Sequence, residues 1–106
     1  LAKRGVGIAC LHYGVEVPKE KGGAEFLQWI GGFFETNWSV NPHWTLVGTE
    51  IAENHPICNG VKPFEVHDEW YYHMRFREPN DTVTKILTAI PPDSTRERPD
   101  GLHSNN

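Results

Sequence analysis

Residues 10–14, Cys-Leu-His-Tyr-Gly, have the layout small, any, apex, any, Gly that places the middle side chain at the tip of a sharp strand-to-turn bend. The apex is His12, an imidazole able to give or take a proton near neutral pH. Two readings of His12 stay open on this spacing: a proton-handling or metal-ligating group, and a hydrogen-bonded structural imidazole. Cys10, inside the apolar run, reads as a buried structural thiol. A second concentration follows at His67-Asp68-Glu69, with Tyr71, Tyr72, His73 and Arg75 close behind. On a regular strand His67, Glu69 and His73 project to one face, and two imidazoles with a carboxylate suit zinc or non-haem iron. Such an ion could equally take His12 with distant ligands. His67 and His73 stand about 20 Å apart along an unbent strand at ~3.3 Å per residue, so sharing an ion requires a bend. A solvated polar face is the other reading of this stretch. Asp68 falls on the apolar side of the alternation, where a carboxylate needs a partner; Arg75 or a backbone N–H is the nearest. His43 and His55, beside turn residues, read as loop histidines.

These side chains need elements to hold them. Lys3, Arg4 and Gly5 have the chemistry of a helix C-terminus followed by a left-handed residue. Val6 to Leu11 is apolar without alternation, the pattern of a strand buried on both faces of a parallel sheet, which would put His12 at its carboxyl end, where open α/β sheets bind ligands. Phe26, Ile30 and Phe33 recur at helical spacing, predicting an amphipathic helix from Gly23 to about Glu35, with Gly31 and Gly32 either ending it early or letting it press on the sheet. An extended segment after Pro42 and a helical turn between Asn54 and Gly60 come next. Phe64 to Phe76 alternates with period two and predicts a long strand bent near Asp68. Residues 77–81 supply a turn, "TVTKILTAI" a further β-rich strand, and residues 91–106 read as loop.

Composition narrows the function. The chain has 106 residues, 38% hydrophobic and 23% charged, which suits one globular domain, with twelve aromatic side chains, four of them Trp, available for its core. A formal charge of −4 gives no basic field for phosphates, so nucleic acid is excluded as an expected partner. Two cysteines make no disulfide framework and read as reduced thiols. No apolar run of 18 or more residues spans a membrane, and no Gly-rich phosphate loop, CxxC pair, HExxH or GxSxG occurs. A lone parallel-type strand needs neighbours that the later strands do not both supply, so the chain reads as a piece of a larger α/β domain.

The segments "RGVGIACLHYG", "WIGGFFE", "NHPICNGVKPFEVHDEWYY" and "VTKILTAI" together resemble the trehalose-utilisation, ThuA-like family, in the family's order and over most of residues 4–90. In that family a glycine-led strand ends in Leu-His, a Gly-Gly-Phe helix end follows, and a His-Pro segment leads to Asp-Glu-x-Tyr. The resemblance implies an incomplete α/β flavodoxin-like three-layer fold, related to class I glutamine amidotransferases, across residues 1–106. It also implies sugar catabolism, with trehalose-derived, glycoside or keto-sugar small-molecule carbohydrates as partners, and a catalytic set of His12, Asp68, Glu69 and Tyr71. The amidotransferase relatives carry a cysteine nucleophile at the apex that His12 occupies, so glutaminase activity is not implied. The alternative is a sugar-binding or partner subunit that keeps the fold without the chemistry. A divalent metal such as zinc is the one cofactor the residues suggest, with His12, His67, Glu69 and His73 as ligands.

Overall fold

In the computed structural model, residues 1–47, 50–79, 82–98 and 101–102 are described. In chain order the strands are β1 (Gly32–Phe33), β2 (His43–Leu46), β3 (Glu50–Ile51), β4 (Val66–Glu69), β5 (Arg75–Phe76), β6 (Leu87–Thr88), β7 (Glu97–Arg98) and β8 (Gly101–Leu102). The α-helices are α1 (Ala24–Trp29) and α2 (Asp93–Arg96). The chain is mixed α and β, and its strands form four two-stranded antiparallel sheets, β1 with β5, β2 with β4, β3 with β6 and β7 with β8. The residues fall into two compact units, Leu1–Val40 with His73–Val83, and Asn41–Tyr72 with Thr84–Asn106.

The first unit opens as the sequence predicts. A 3-10 turn over Ala2–Arg4 carries its two cations in the last turn and ends on Gly5 at φ 73°, whose N–H returns to the Ala2 carbonyl. Val6 to Leu11 departs from expectation. The segment belongs to no strand, and Val6, Ile8 and Leu11 are 45%, 43% and 84% exposed. Burial on both faces requires a hydrogen-bonded neighbour on each side, and the described residues supply neither; their one parallel contact outside the sheets is the bridge between Glu16 and Phe34.

After a π-helical turn at Lys19–Gly23, α1 covers half of the predicted helix. Its end is a glycine effect: the N–H groups of Ile30 and Gly31 both return to the Phe26 carbonyl, and Gly31 takes φ 87°, which L side chains rarely adopt. Gly32 has a different reason to lack a side chain, since a Cβ there would stand 2.8 Å from the Arg75 carbonyl oxygen of the paired β5. Phe33, Phe34 and Val40 are the buried large apolar side chains among the described residues of this unit, and the Phe33 ring occupies the space a Cβ at Gly23 would need.

The second unit is organised by the ribbon of β2 and β4, with Leu46, Cys58 and Tyr72 buried. The helical turn is a 3-10 turn at Pro56–Cys58, and its opening residue is His55 instead of Asn54, because the His55 Nδ1 accepts from the Ile57 N–H at 3.3 Å. The long strand expected over Phe64–Phe76 is two short ones. Its break lies after Glu69, one residue past the bend expected near Asp68, and His73, at φ 53°, cannot continue a pleat. Only Leu87–Thr88 of the "TVTKILTAI" stretch pairs, with β3. Residues 93–98 and 101–102, expected as loop, instead form α2 and the β7–β8 ladder. Asn80 and Asp81 of the predicted turn lie outside the described residues. Among the described residues no helix is long and apolar enough to cross a membrane.

Candidate functional site

The pairing of β2 with β4 sets His43 opposite Glu69, Trp44 opposite Asp68, Thr45 opposite His67 and Leu46 opposite Val66. Directly opposed residues share a face and successive ones alternate, so His43, Thr45, His67 and Glu69 form one polar face, backed by Trp44, Leu46 and Val66. Asn41, two residues before His43, donates from Nδ2 to Oε1 of Glu69 at 2.7 Å. Thr45 Oγ1 and His67 Nδ1 are hydrogen-bonded at 3.1 Å, and the rings of His43 and His67 lie 6.3 Å apart, tilted by 30°. Two imidazoles, a carboxylate, an amide and a hydroxyl thus stand together on a surface open to solutes, a set that can exchange protons and hydrogen-bond a polyhydroxy ligand.

The opposite side explains why the ribbon holds this geometry. Trp44 and Trp70 have ring centroids 5.8 Å apart, Tyr72 meets Trp44 edge-on at 6.3 Å, and the Trp70 indole N–H donates to the Trp44 carbonyl at 3.1 Å. The Trp70 backbone N–H extends the pairing by donating to Pro42 at 2.9 Å. Asp68 sits on this aromatic side, is exposed, and accepts the Glu69 N–H on Oδ1 at 2.8 Å. Its partner is the backbone, the second of the two alternatives that the alternation left open.

Comparison with family models, curated proteins and solved structures finds no match to this chain. The site is therefore read from its own residues. Asp68, Glu69 and His67 are brought together on β4, and Tyr71 follows, half-buried, between β4 and β5. His12 belongs to the first unit; it is exposed, takes φ 51° as a sharp bend requires, and its Nδ1 accepts the Tyr13 N–H at 2.8 Å. Its expected support, a paired strand over residues 6–11, is not formed. Cys10, expected to be buried, is partly exposed.

His73 has a different setting from the ligand set predicted for it. It is buried in the first unit, stacked on Trp38 at 4.4 Å, with Nδ1 3.0 Å from the Trp38 carbonyl oxygen. A carbonyl only accepts, so Nδ1 carries the hydrogen of this bond. Trp38 also receives the Arg75 guanidinium 3.7 Å from its ring centre, and Arg75 Nε donates to Glu35 at 2.5 Å. The Arg75 hydrogen bond, with the nearby charges of Arg75 and Lys19, holds the Glu35 carboxyl below the usual glutamate range against the opposing pull of burial. Among the described residues no group of three or more His, Cys, Asp or Glu is disposed around a common metal position.

Asn41 and Thr45 carry no expectation from the sequence, and His43, expected as a loop histidine, lies on β2. The signal was present: "NPHWTL" alternates polar and apolar without a break, and such a segment is a natural partner for the alternating stretch around residues 66–69.

Proposed function

We propose that the chain acts on small-molecule carbohydrates as a ThuA-like protein of sugar catabolism, within a flavodoxin-like fold that this segment enters only in part. The observation that carries the reading is the polar face of the ribbon, where Glu69, held by Asn41 at 2.7 Å, lies directly across from His43 and beside His67. Carboxylate, amide and imidazole groups fixed on a rigid ribbon match the alternating donors and acceptors of a sugar's hydroxyls, and Glu69 supplies a base for one of them. Asp68 braces the end of β4 through the Glu69 N–H and acts as a positioning residue. His12, exposed at its bend in the first unit, and Tyr71 are the further groups that the family resemblance implies for the reaction.

Turnover of trehalose-derived or keto-sugar substrates by the full protein tests the assignment. Glu69→Gln and His12→Ala are each expected to lower kcat about a hundredfold or more, the usual scale for a lost acid or base. Unchanged turnover in both variants overturns it. A second reading, a sugar-binding subunit without catalysis, is favoured by one feature: the bend apex is His12 and offers no acyl-transfer nucleophile. Calorimetry showing sugar binding with no product formed selects that reading, and observed turnover removes it.

A further inference from the structure

We infer that His43 and His67 form a two-imidazole chelate for a divalent late first-row cation such as zinc(II) or copper(II). The two residues are diagonal neighbours on the same face of the ribbon, His43 two pairs further along than His67, and their rings are 6.3 Å apart. At that separation ordinary side-chain rotations bring one nitrogen of each ring to a common ion at ~2.0–2.1 Å. Both side chains are exposed, so approach of a hydrated ion needs no opening of the fold.

The hydrogen-bonding around the pair favours this use. Thr45 Oγ1 engages His67 at Nδ1, 3.1 Å away, which leaves Nε2 as the ligating nitrogen and fixes the ring in the manner of an outer partner of a metal-bound imidazole. His43 has no hydrogen-bond partner on either ring nitrogen among the described residues, so it gives up nothing on turning to an ion. The residues backing the ribbon, Trp44, Leu46 and Val66, keep the two strands in fixed register, so the chelate is partly organised before the ion arrives. No third His, Cys, Asp or Glu among the described residues joins the pair, so the protein supplies two nitrogens and the remaining positions fall to water or to a solute. Imidazole donors with open positions suit zinc and copper better than magnesium or calcium, which want oxygen. The inference stands apart from the carbohydrate reading, since it concerns the ion alone.

Titrating zinc(II) into the protein by calorimetry, without substrate, tests it. One equivalent is expected to bind, weakened about tenfold or more by His43→Ala and equally by His67→Ala, since outer partners of metal ligands alone act on the ~10–100-fold scale. The double variant is expected to bind no more weakly than either single one, because a chelate is lost as a unit. His55→Asn, which keeps a side-chain cap on the 3-10 turn, leaves binding unchanged. Copper(II) electron paramagnetic resonance counts the donors: two nitrogens from the native ribbon and one from each single variant. Native affinity in either single variant, equal loss in His55→Asn, or an unchanged nitrogen count overturns the assignment.

Discussion

Arg75 Nε and Glu35 Oε2 meet at 2.5 Å across forty positions of sequence, and this contact ties the loop after β1 to β5. The Glu35 side chain is 16% exposed, and Lys19 Nζ adds a looser ion pair at 3.6 Å. The bond is charge-assisted and partly shielded, and the same guanidinium covers Trp38. Arginine is not replaceable by lysine here, because a compact ammonium cannot hold the carboxylate and lie flat on the indole together.

Stability should therefore depend on pH through Glu35. Its folded carboxyl titrates below the unfolded value, so its contribution is fully present above the ordinary glutamate range and is lost as pH falls through the depressed folded value. Glu35→Gln is expected to cost about 1 kcal/mol at neutral pH. Thermal melts of both proteins check this: the gap in Tm should be constant near pH 7 and close as pH falls below the ordinary glutamate range.

Tyr72 is 4% exposed, and its hydroxyl donates to the Thr95 carbonyl at 2.8 Å. That bond anchors α2. Tyr72→Phe keeps the ring against Trp44 and removes only the donor, which should cost about 1 kcal/mol. Hydrogen exchange should locate the loss: faster exchange at Thr95, whose N–H donates to Pro92, with the β2–β4 amides unchanged.

What the sequence made legible was local chemistry. Gly5 and Gly31 stop helical turns because positive φ is a property of one residue, and the period-two pattern through residues 64–76 marks the strand at residues 66–69 because its period is short. The register of that strand against its partner was not legible, since it is fixed across twenty or more positions by which faces bury together. Hence Glu69 and His67 were found and His43, opposite Glu69, was not. The apolar run at Val6–Leu11 misled for a related reason: such a run reports affinity for an interior, while actual burial depends on neighbours elsewhere in the chain. His73 was placed by extending the alternation past Glu69, where the chain abandons the pleat.

Phe33 is 2% exposed and is the largest fully buried side chain of the first unit. A Cβ at Gly23 would stand 2.8 Å from its Cζ, so the ring fills space that the glycine leaves. Phe33→Ala should cost about 3–5 kcal/mol, a large share of the total for a chain this small. Urea unfolding followed by tryptophan fluorescence should show a lower midpoint with the slope preserved.

Two glycines separate conformational need from simple absence of a side chain. At Gly7 a Cβ meets nothing within 4 Å, and no positive φ is required, so Gly7→Ala should change stability by less than about 0.5 kcal/mol. At Gly32 a Cβ would stand 2.8 Å from the Arg75 carbonyl oxygen and 2.9 Å from the Phe76 ring. The ring can turn away but the carbonyl cannot, because it belongs to the strand paired with β1. Gly32→Ala should therefore push β1 from β5 and cost about 1–3 kcal/mol. The separation of strands also strains the nearby contact of Arg75 with Glu35, so the loss should be less than additive with Glu35→Gln. A double-mutant cycle by thermal denaturation measures this; strict additivity would show that β5 reaches Glu35 independently of its pairing with β1.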